Sequence, residues 1–193
     1  MDSYKTINNI SEGYYTDKRS KFYAFAHYVE SADDVKKLLV GYRNKYYDAR
    51  HICWAYRLGP DGVEYRLNDD GEPSSTGGKP IFNQILSSGL TNIVVFVIRY
   101  YGGVNLGTSG LIIAYREASR DALEKADIIE KLVEKVIVYS FPYILINAVM
   151  KVIKELQPRI VSQKFDNTCV FEFSIRESKA ELLQDKLNKL SFE

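Results

Sequence analysis

The sequence is poor in several features that commonly indicate a function. It has two cysteines, two histidines and no apolar run longer than residues 93–98. Because a membrane-spanning helix needs roughly 20 mostly apolar residues, no transmembrane helix is predicted. Cys53 and Cys169 lie far apart in the chain, and we interpret them as reduced, buried thiols. The first residues lack the basic start and apolar stretch of a secretory signal, so we expect a cytoplasmic protein.

The sequence also lacks a surplus of charge of either sign. Residues 1–127 carry 16 Lys and Arg against 16 Asp and Glu, and residues 128–193 carry 10 against 9. Non-specific binding of nucleic acids is driven by bulk positive charge, which neither part of the chain has. A nucleic-acid site would therefore require a local cluster of basic side chains.

The chain does have enough apolar residues to form a core. With 193 residues, 46% of them hydrophobic, it can form two domains of ordinary size. Apolar periodicity and turn residues predict the elements of the first domain. In order, they are a strand at 21–29, a helix that starts at Ser31, a hairpin of strands 52–58 and 63–67, a short helix near 81–86, a strand at 92–100 and a helix at 108–126.

A second pattern starts after residue 127. It predicts a strand at 133–139, a helix at 143–156, strands at 160–165 and 168–175, and a helix at 178–190. Ser178, with Glu181 three residues later, fits the capping box that begins a helix. The order βαββα fits a small ferredoxin-like unit that lacks the usual closing strand. We therefore predict an α+β protein with domains at residues 1–130 and 131–193.

Three segments of the first domain carry a specific combination of motifs. They are DARH at residues 48–51, DDGEPSSTGGKP at residues 69–80 and RYYGGVNLGTSGL at residues 99–111. With residues 20–22 before them and residues 114–115 after them, these segments resemble the YigZ/IMPACT family over residues 14–127.

The resemblance implies a fold and a general function. The first domain is expected to have the fold of the second domain of small-subunit ribosomal protein five, and the second domain to be similar to the fifth domain of elongation factor G. The resemblance also implies a link to the regulation of translation. The expected partners are RNA, the ribosome or translation factors, with no role for a membrane.

The acidic segment allows two interpretations. Asp69, Asp70 and Glu72 lie within four residues and could together bind a hard cation such as Mg²⁺, which prefers oxygen ligands. They could equally form a turn, in which carboxylates accept backbone N–H groups or pair with arginines such as Arg50 and Arg99. We favour the turn.

The glycine-rich loop also has two interpretations, which the sequence leaves open. Gly102, Gly103 and Gly107 lie between a strand and a helix, where exposed N–H groups and the helix dipole favour a phosphate. The glycines could instead allow close backbone packing. The loop approaches a nucleotide-hydrolysing P-loop but has Thr108 in place of the phosphate-binding Lys, so we reject an NTPase.

The histidines indicate no metal or cofactor. Neither His27 nor His51 forms a cluster with zinc-ligand spacing, and we expect no zinc and no cofactor. His51 is a candidate acid/base group, although a histidine hydrogen-bonded within the fold is the interpretation we favour. At the end of the strand that precedes the glycine loop, Tyr100 and Tyr101 are expected on opposite faces, and one of them could stack on a base.

Three hypotheses for function follow from these motifs. The leading one is a non-catalytic protein whose site binds RNA phosphates. Its residues are Arg50, His51, Lys79, Arg99 and the backbone of Gly102, Gly103 and Gly107. The alternative is a metal-dependent enzyme in which Asp69, Asp70 and Glu72 hold a metal and the glycine-rich loop positions a phosphate-containing substrate. The third is a protein-interaction module.

Overall fold

The computed structural model describes residues 2–190, and the chain divides into two compact units. One spans Tyr4–Lys131, and the other comprises residues 132–190 together with Asp2 and Ser3. We call them the N-terminal unit and the C-terminal unit. Both combine helices with antiparallel strands, so the predicted two-domain α+β fold is confirmed. Within residues 2–190, no helix is long and apolar enough to cross a bilayer.

The N-terminal unit is built on a five-stranded antiparallel sheet. Its elements are β1 (Ser3–Ile7), β2 (Ser11–Asp17), β3 (Ser20–Tyr28), α1 (Ala32–Lys45), β4 (His51–Leu58), β5 (Glu64–Asn68), α2 (Gly78–Ser88), β6 (Ile93–Tyr100), α3 (Gly107–Glu124) and β7 (Ile128–Leu132). Only the first residue of β1 and the last residue of β7 lie outside Tyr4–Lys131. The strand order in the sheet is β2-β3-β6-β4-β5, and β1 pairs separately with β7. Strand β6 therefore lies at the centre of the sheet.

The apolar run of β6 reflects burial of both faces of the sheet. Successive side chains of a strand point to opposite faces. Val95 and Val97 pack in the core beneath α2 and α3, whereas Val94 and Phe96 pack in the second core beneath α1. A strand covered on both sides has no solvent-facing positions for polar residues, so the usual alternation is absent.

The antiparallel register brings the sequence motifs together at one end of this sheet. Arg99, near the end of β6, lies opposite Phe22 of β3 on one side and His51 of β4 on the other. The acidic loop, which contains Asp69, Asp70 and Glu72, follows β5, which pairs with β4, and the glycine-rich loop follows β6 directly. Segments distant in sequence therefore meet where β6 ends.

The C-terminal unit has the predicted βαββα order. Its elements are β8 (Glu134–Pro142), a 3-10 turn (Tyr143–Leu145), α4 (Ile146–Leu156), β9 (Arg159–Lys164), β10 (Thr168–Arg176) and α5 (Glu177–Lys189). The antiparallel strand order is β8-β10-β9, which is the ferredoxin-like arrangement without a fourth strand among residues 132–190. One core joins Phe171 and Phe173 of β10 with Val149 of α4 and Leu183 of α5.

The structure corrects one predicted helix start. Ser178 is not the N-cap of α5, which begins at Glu177 with no side-chain cap from its own N-cap residue. Instead, Oδ1 of Asp2 accepts a hydrogen bond from the Ser178 amide at 3.1 Å, and Oδ2 accepts one from the Ser178 hydroxyl at 2.5 Å. The capping carboxylate comes from the other end of the chain, which a local capping pattern does not reveal.

The Asp2 carboxylate provides a test of this cap. Hydrogen bonds from Ser178, chiefly that from its hydroxyl, lower the pKa of Asp2 below its usual value. Since the folded-state pKa is the lower one, the stabilisation is present at neutral pH and is lost as the pH falls through that pKa. We expect the NMR shift of the Ser178 amide proton to titrate below the ordinary Asp value of about 3.9. The same titration in Asp2→Asn would contradict the assignment.

We also predict that residues 1–132 fold without the C-terminal unit. This fragment keeps β1 and β7 together, and it contains Trp54, the single tryptophan, which is buried in the core beneath α1. Urea unfolding followed by Trp54 fluorescence should be cooperative. A fragment that ends at residue 126 removes β7 and should unfold at lower urea. A dye-binding, non-cooperative state for residues 1–132 would show that the unit does not fold independently.

Candidate functional site

A cleft opens at the end of the N-terminal sheet where the three motif segments meet. Its volume is about 510 Å³, within the range of small-ligand pockets. The start of β4, the acidic loop, the end of β6 and the start of α3 each contribute to its wall. The lining residues are Arg50, His51, Gly71, Glu72, Pro73, Arg99, Tyr101, Asn105, Leu106, Gly107, Thr108 and Leu111.

A buried ion pair lies in the wall of this cleft. Oε1 of Glu72 accepts hydrogen bonds from Nη1 of Arg99 at 2.6 Å and from the hydroxyl of Tyr115 at 2.8 Å. Glu72 is only 8% exposed and Arg99 only 6%. Burial raises the pKa of Tyr115 well above its usual value, so its hydroxyl stays protonated and remains a donor. These contacts fix the acidic loop to β6 and to α3.

The Arg99 guanidinium has hydrogen-bonding capacity that the protein does not use. Its carbon Cζ lies 5.7 Å from the ring centre of Phe22 and 5.6 Å from that of Tyr101. Nη1 bonds Glu72, whereas Nε is buried without a hydrogen-bond partner among the described residues. Arg99 is thus oriented by two rings and one carboxylate, while its Nε–H remains without a partner in the part of the chain that the structure describes.

His51 is held by the backbone of the acidic loop. Its Nδ1 lies 2.7 Å from the carbonyl oxygen of Asp70, so Nδ1 carries the proton and donates. Nε2 lies 3.9 Å from Oε2 of Glu72. Sγ of Cys53, on the same face of β4, donates to the carbonyl oxygen of Asp69 at 3.0 Å, and burial raises the pKa of this thiol. The two side chains therefore bond separate carbonyl groups, and Cys53 is not an activated nucleophile.

The three acidic side chains do not converge. Oδ1 of Asp69 accepts from the amides of Gly77 and Gly78, at 2.9 and 2.8 Å, and so caps the start of α2. Asp70 accepts from the amide of Ile52 at 2.6 Å and pairs with Arg43. No group of three His, Cys, Asp or Glu side chains within residues 2–190 is placed to hold a metal ion. This geometry contradicts the metal-site interpretation and agrees with the turn.

The glycines serve different purposes in the loop before α3. A Cβ atom at Gly102 would lie 2.1 Å from the backbone of Arg19, so this glycine is required for close packing. Gly107, which lines the cleft, begins α3 with φ +73°, a conformation that L side chains rarely adopt. Gly103, with φ +85° and open space around it, does not line the cleft. Of the predicted glycines, only Gly107 borders the site.

The structure separates Lys79 from the other predicted basic residues. Lys79 is the second residue of α2 and lines a different depression of about 380 Å³, which also includes Arg116 of α3. The acidic loop turns back before α2, and this carries Lys79 away from β6. The cleft therefore brings together Arg50, His51 and Arg99, but not Lys79.

The charge of the cleft is positive because one acid faces two arginines. Glu72 is already paired with Arg99, and Arg50 has no ion pair among the described residues. Local charge of this kind can attract an anion even though the chain as a whole is nearly neutral.

Two residues of the site, Tyr115 and Thr108, have roles that the sequence does not predict. Tyr115 belongs to the family motif, but the sequence does not indicate that it bonds Glu72. Its place on the apolar face of α3, directly above β6, was the available signal. Thr108 stands where a P-loop has its lysine, and its position at the start of α3 places it at the cleft.

The Glu72–Arg99 pair can be tested through stability. Removing one member of a buried pair leaves the other charge unpaired, which costs about 3–5 kcal/mol. We expect Glu72→Ala to lower the free energy of unfolding by that amount, measured by urea unfolding with Trp54 fluorescence. Glu64→Ala on β5 is the matched control, because this exposed carboxylate forms no ion pair within residues 2–190 and its loss should cost less than about 0.5 kcal/mol. Equal losses for the two variants would contradict the structural role of Glu72.

Comparison with known proteins identifies the family. The model of the Impact N-terminal domain matches residues 18–123. An IMPACT family member from Haemophilus influenzae is 30% identical over 176 residues, which cover 90% of this chain and 85% of the relative. The IMPACT family member YigZ of Escherichia coli is 37% identical over 110 residues, covering 56% of this chain and 54% of YigZ.

A solved structure supports the same conclusion for the whole chain. A crystal structure of a hypothetical protein is 26% identical, with a TM-score of 0.77, and the match covers 99% of this chain and 94% of the other. The similarity therefore includes both units of the fold. The chain belongs to the IMPACT family.

Proposed function

We propose that this protein is an RNA-binding factor that acts in the regulation of translation, and that its cleft binds RNA phosphates. One observation carries the proposal. The cleft combines two arginines with the N-terminus of α3, an 18-residue helix whose N-cap residue, Leu106, provides no side-chain cap. Both features favour an anionic group.

The backbone at the start of α3 supports phosphate binding. The first N–H groups of a helix have no intrahelical acceptor, and the helix dipole places partial positive charge there. No acidic residue occupies the first turn of α3. Thr108 and Gly107, which begin the helix, line the cleft, so their amides are near any group bound there.

The basic side chains add charge to this backbone site. Arg50 is free to reach a ligand because it forms no ion pair within the described residues. Arg99 is already oriented by its neighbours, which reduces the conformational entropy lost on binding. We expect His51 to contribute from the same wall. Lys79 is not part of this proposed contact because it lies in the other depression.

The connection with translation rests on the family to which the chain belongs. RNA in the cytoplasm, alone or within the ribosome, is the partner that we propose on this basis. Affinity capture of the tagged chain with and without nuclease treatment would test the association in cells. RNA or ribosomal particles that co-purify only without nuclease are the expected result.

Arg50→Ala provides a direct test of the contact in vitro. Because the contact is to a phosphate, affinity for single-stranded RNA should fall several-fold whatever its sequence. The slope of log affinity against log salt concentration should become shallower by about 0.7, the value for one lost contact to a single strand. Fluorescence anisotropy across a salt series measures both quantities.

The matched control is Arg66→Ala. Arg66 is exposed on β5, does not line the cleft and has no ion pair among residues 2–190, so its removal changes the net charge equally. Its salt slope should equal that of the parent. If both variants behave alike, or if the parent shows no salt-sensitive RNA binding, the proposed site is wrong.

A further inference from the structure

The start of α3 has neither an acid nor a side-chain cap, unlike the starts of α1, α2 and α5. Ser31 caps α1, whose first turn carries Asp33 and Asp34. Asp69 accepts hydrogen bonds from the amides at the start of α2, and Asp2 from one in the first turn of α5. An acid or hydroxyl of the chain thus stabilises each of these three helix starts, whereas α3, like α4 of the C-terminal unit, has neither a side-chain cap nor an acid in its first turn. Of these two, α3 is the helix that begins at the cleft.

Arg99 also lines this cleft, and its Nε is unpartnered among the described residues. Among residues 2–190, the guanidinium has one hydrogen-bond partner, Glu72, which Nη1 contacts. The opposite edge, formed by Nε and Nη2, is the planar fork that binds two oxygens of a carboxylate or phosphate. Nε is buried without any partner among the described residues, which is costly unless a ligand satisfies it.

The position of Arg99 limits which phosphates can reach it. Only 7% of the side chain is exposed, and the cleft has the volume of a small-ligand pocket. A phosphodiester within a double helix is flanked by its neighbours and would meet only the rim. A phosphate at the end of a strand projects and can enter.

We propose that the cleft binds the terminal phosphate monoester of a single-stranded RNA, an inference that rests on the proposed RNA-binding function. A monoester has three free oxygens and a charge between −1.5 and −2 near neutral pH, whereas a diester has two free oxygens and a single charge. The amides that begin α3, the unpartnered Nε–H of Arg99 and the guanidinium of Arg50 are donors on residues that line the cleft, and together they can match three oxygens.

Tyr101 is positioned to bind the nucleotide that carries this phosphate. It lines the cleft, is 43% exposed, and has the Arg99 guanidinium near its ring. Its hydroxyl donates to Oδ1 of Asn105 at 3.3 Å, which holds the ring in place. An aromatic ring beside a phosphate site stacks on an unpaired base without selecting its identity. The structure therefore favours recognition of the strand end and not of sequence.

The experiment compares the same single-stranded RNA 12-mer in three forms: 5′-phosphorylated, 3′-phosphorylated and without a terminal phosphate. Anisotropy should show that one phosphorylated form binds at least about tenfold more tightly than the unphosphorylated form, the effect of one charge-assisted hydrogen bond. Which form gains affinity identifies the end that is bound. A phosphoserine peptide is included as a further ligand, and it should bind more weakly than that RNA.

Thr108→Asp tests whether α3 supplies the contact. The new carboxylate occupies the first turn of α3, where it should stabilise the helix and repel a phosphate. We expect the thermal midpoint to be at least that of the parent while the preference for the phosphorylated RNA is lost. Gln163→Glu adds the same charge at an exposed position of β9 and should keep the preference.

The outcomes separate this inference from the proposed function. Equal, salt-sensitive binding of all three RNAs would overturn terminal-phosphate recognition and leave RNA binding intact. No binding of any RNA would overturn both. A folded Thr108→Asp variant with the full preference would exclude the start of α3 as the site, and tighter binding of the phosphoserine peptide would exclude RNA as the occupant.

Discussion

The buried pair of Glu72 and Arg99 is the interaction on which the rest of the site depends. It joins the acidic loop to the central strand, and through Tyr115 it also joins that loop to α3. A buried pair contributes little net stability over an apolar pair of the same shape, but it determines where charged groups can be placed. Here it holds a guanidinium in the wall of the cleft, with one edge used by the protein and the other edge free.

The arrangement suits binding more than it suits metal-assisted chemistry. Two of the three carboxylates of the acidic loop hold the backbone of α2 and β4, and the third neutralises Arg99. The thiol of Cys53 is buried and its pKa is raised, so it is a poor nucleophile. The cleft is bordered by Arg50, by Arg99 and by the uncapped start of α3, which stabilise an anion without needing to react with it.

Local patterns in the sequence predicted the elements but not all of their contacts. The apolar run of β6, the stripe of α3 and the cap at Ser31 are properties of neighbouring residues, and the structure has each of them. The separation of Lys79 from Arg99 depends on how the acidic loop turns back, and the cap of α5 depends on Asp2 at the other end of the chain. Neither the position of Lys79 nor the cap of α5 can be predicted from a short stretch of neighbouring residues. The family motif indicated which segments meet. The hydrogen-bond partner of each carboxylate depends on the register of the sheet, which the motif does not specify.

The central claim is that an RNA phosphate lies between the start of α3 and Arg99. Titration of the ¹⁵N-labelled chain with single-stranded RNA tests it most directly, followed through backbone amides and the Nε–H of Arg99. The account predicts the largest shifts at Gly107, Thr108 and Arg99 Nε–H, with smaller changes at Lys79 and Arg116. Shifts centred on Lys79 and Arg116, or on the C-terminal unit, with Arg99 unchanged, would contradict it.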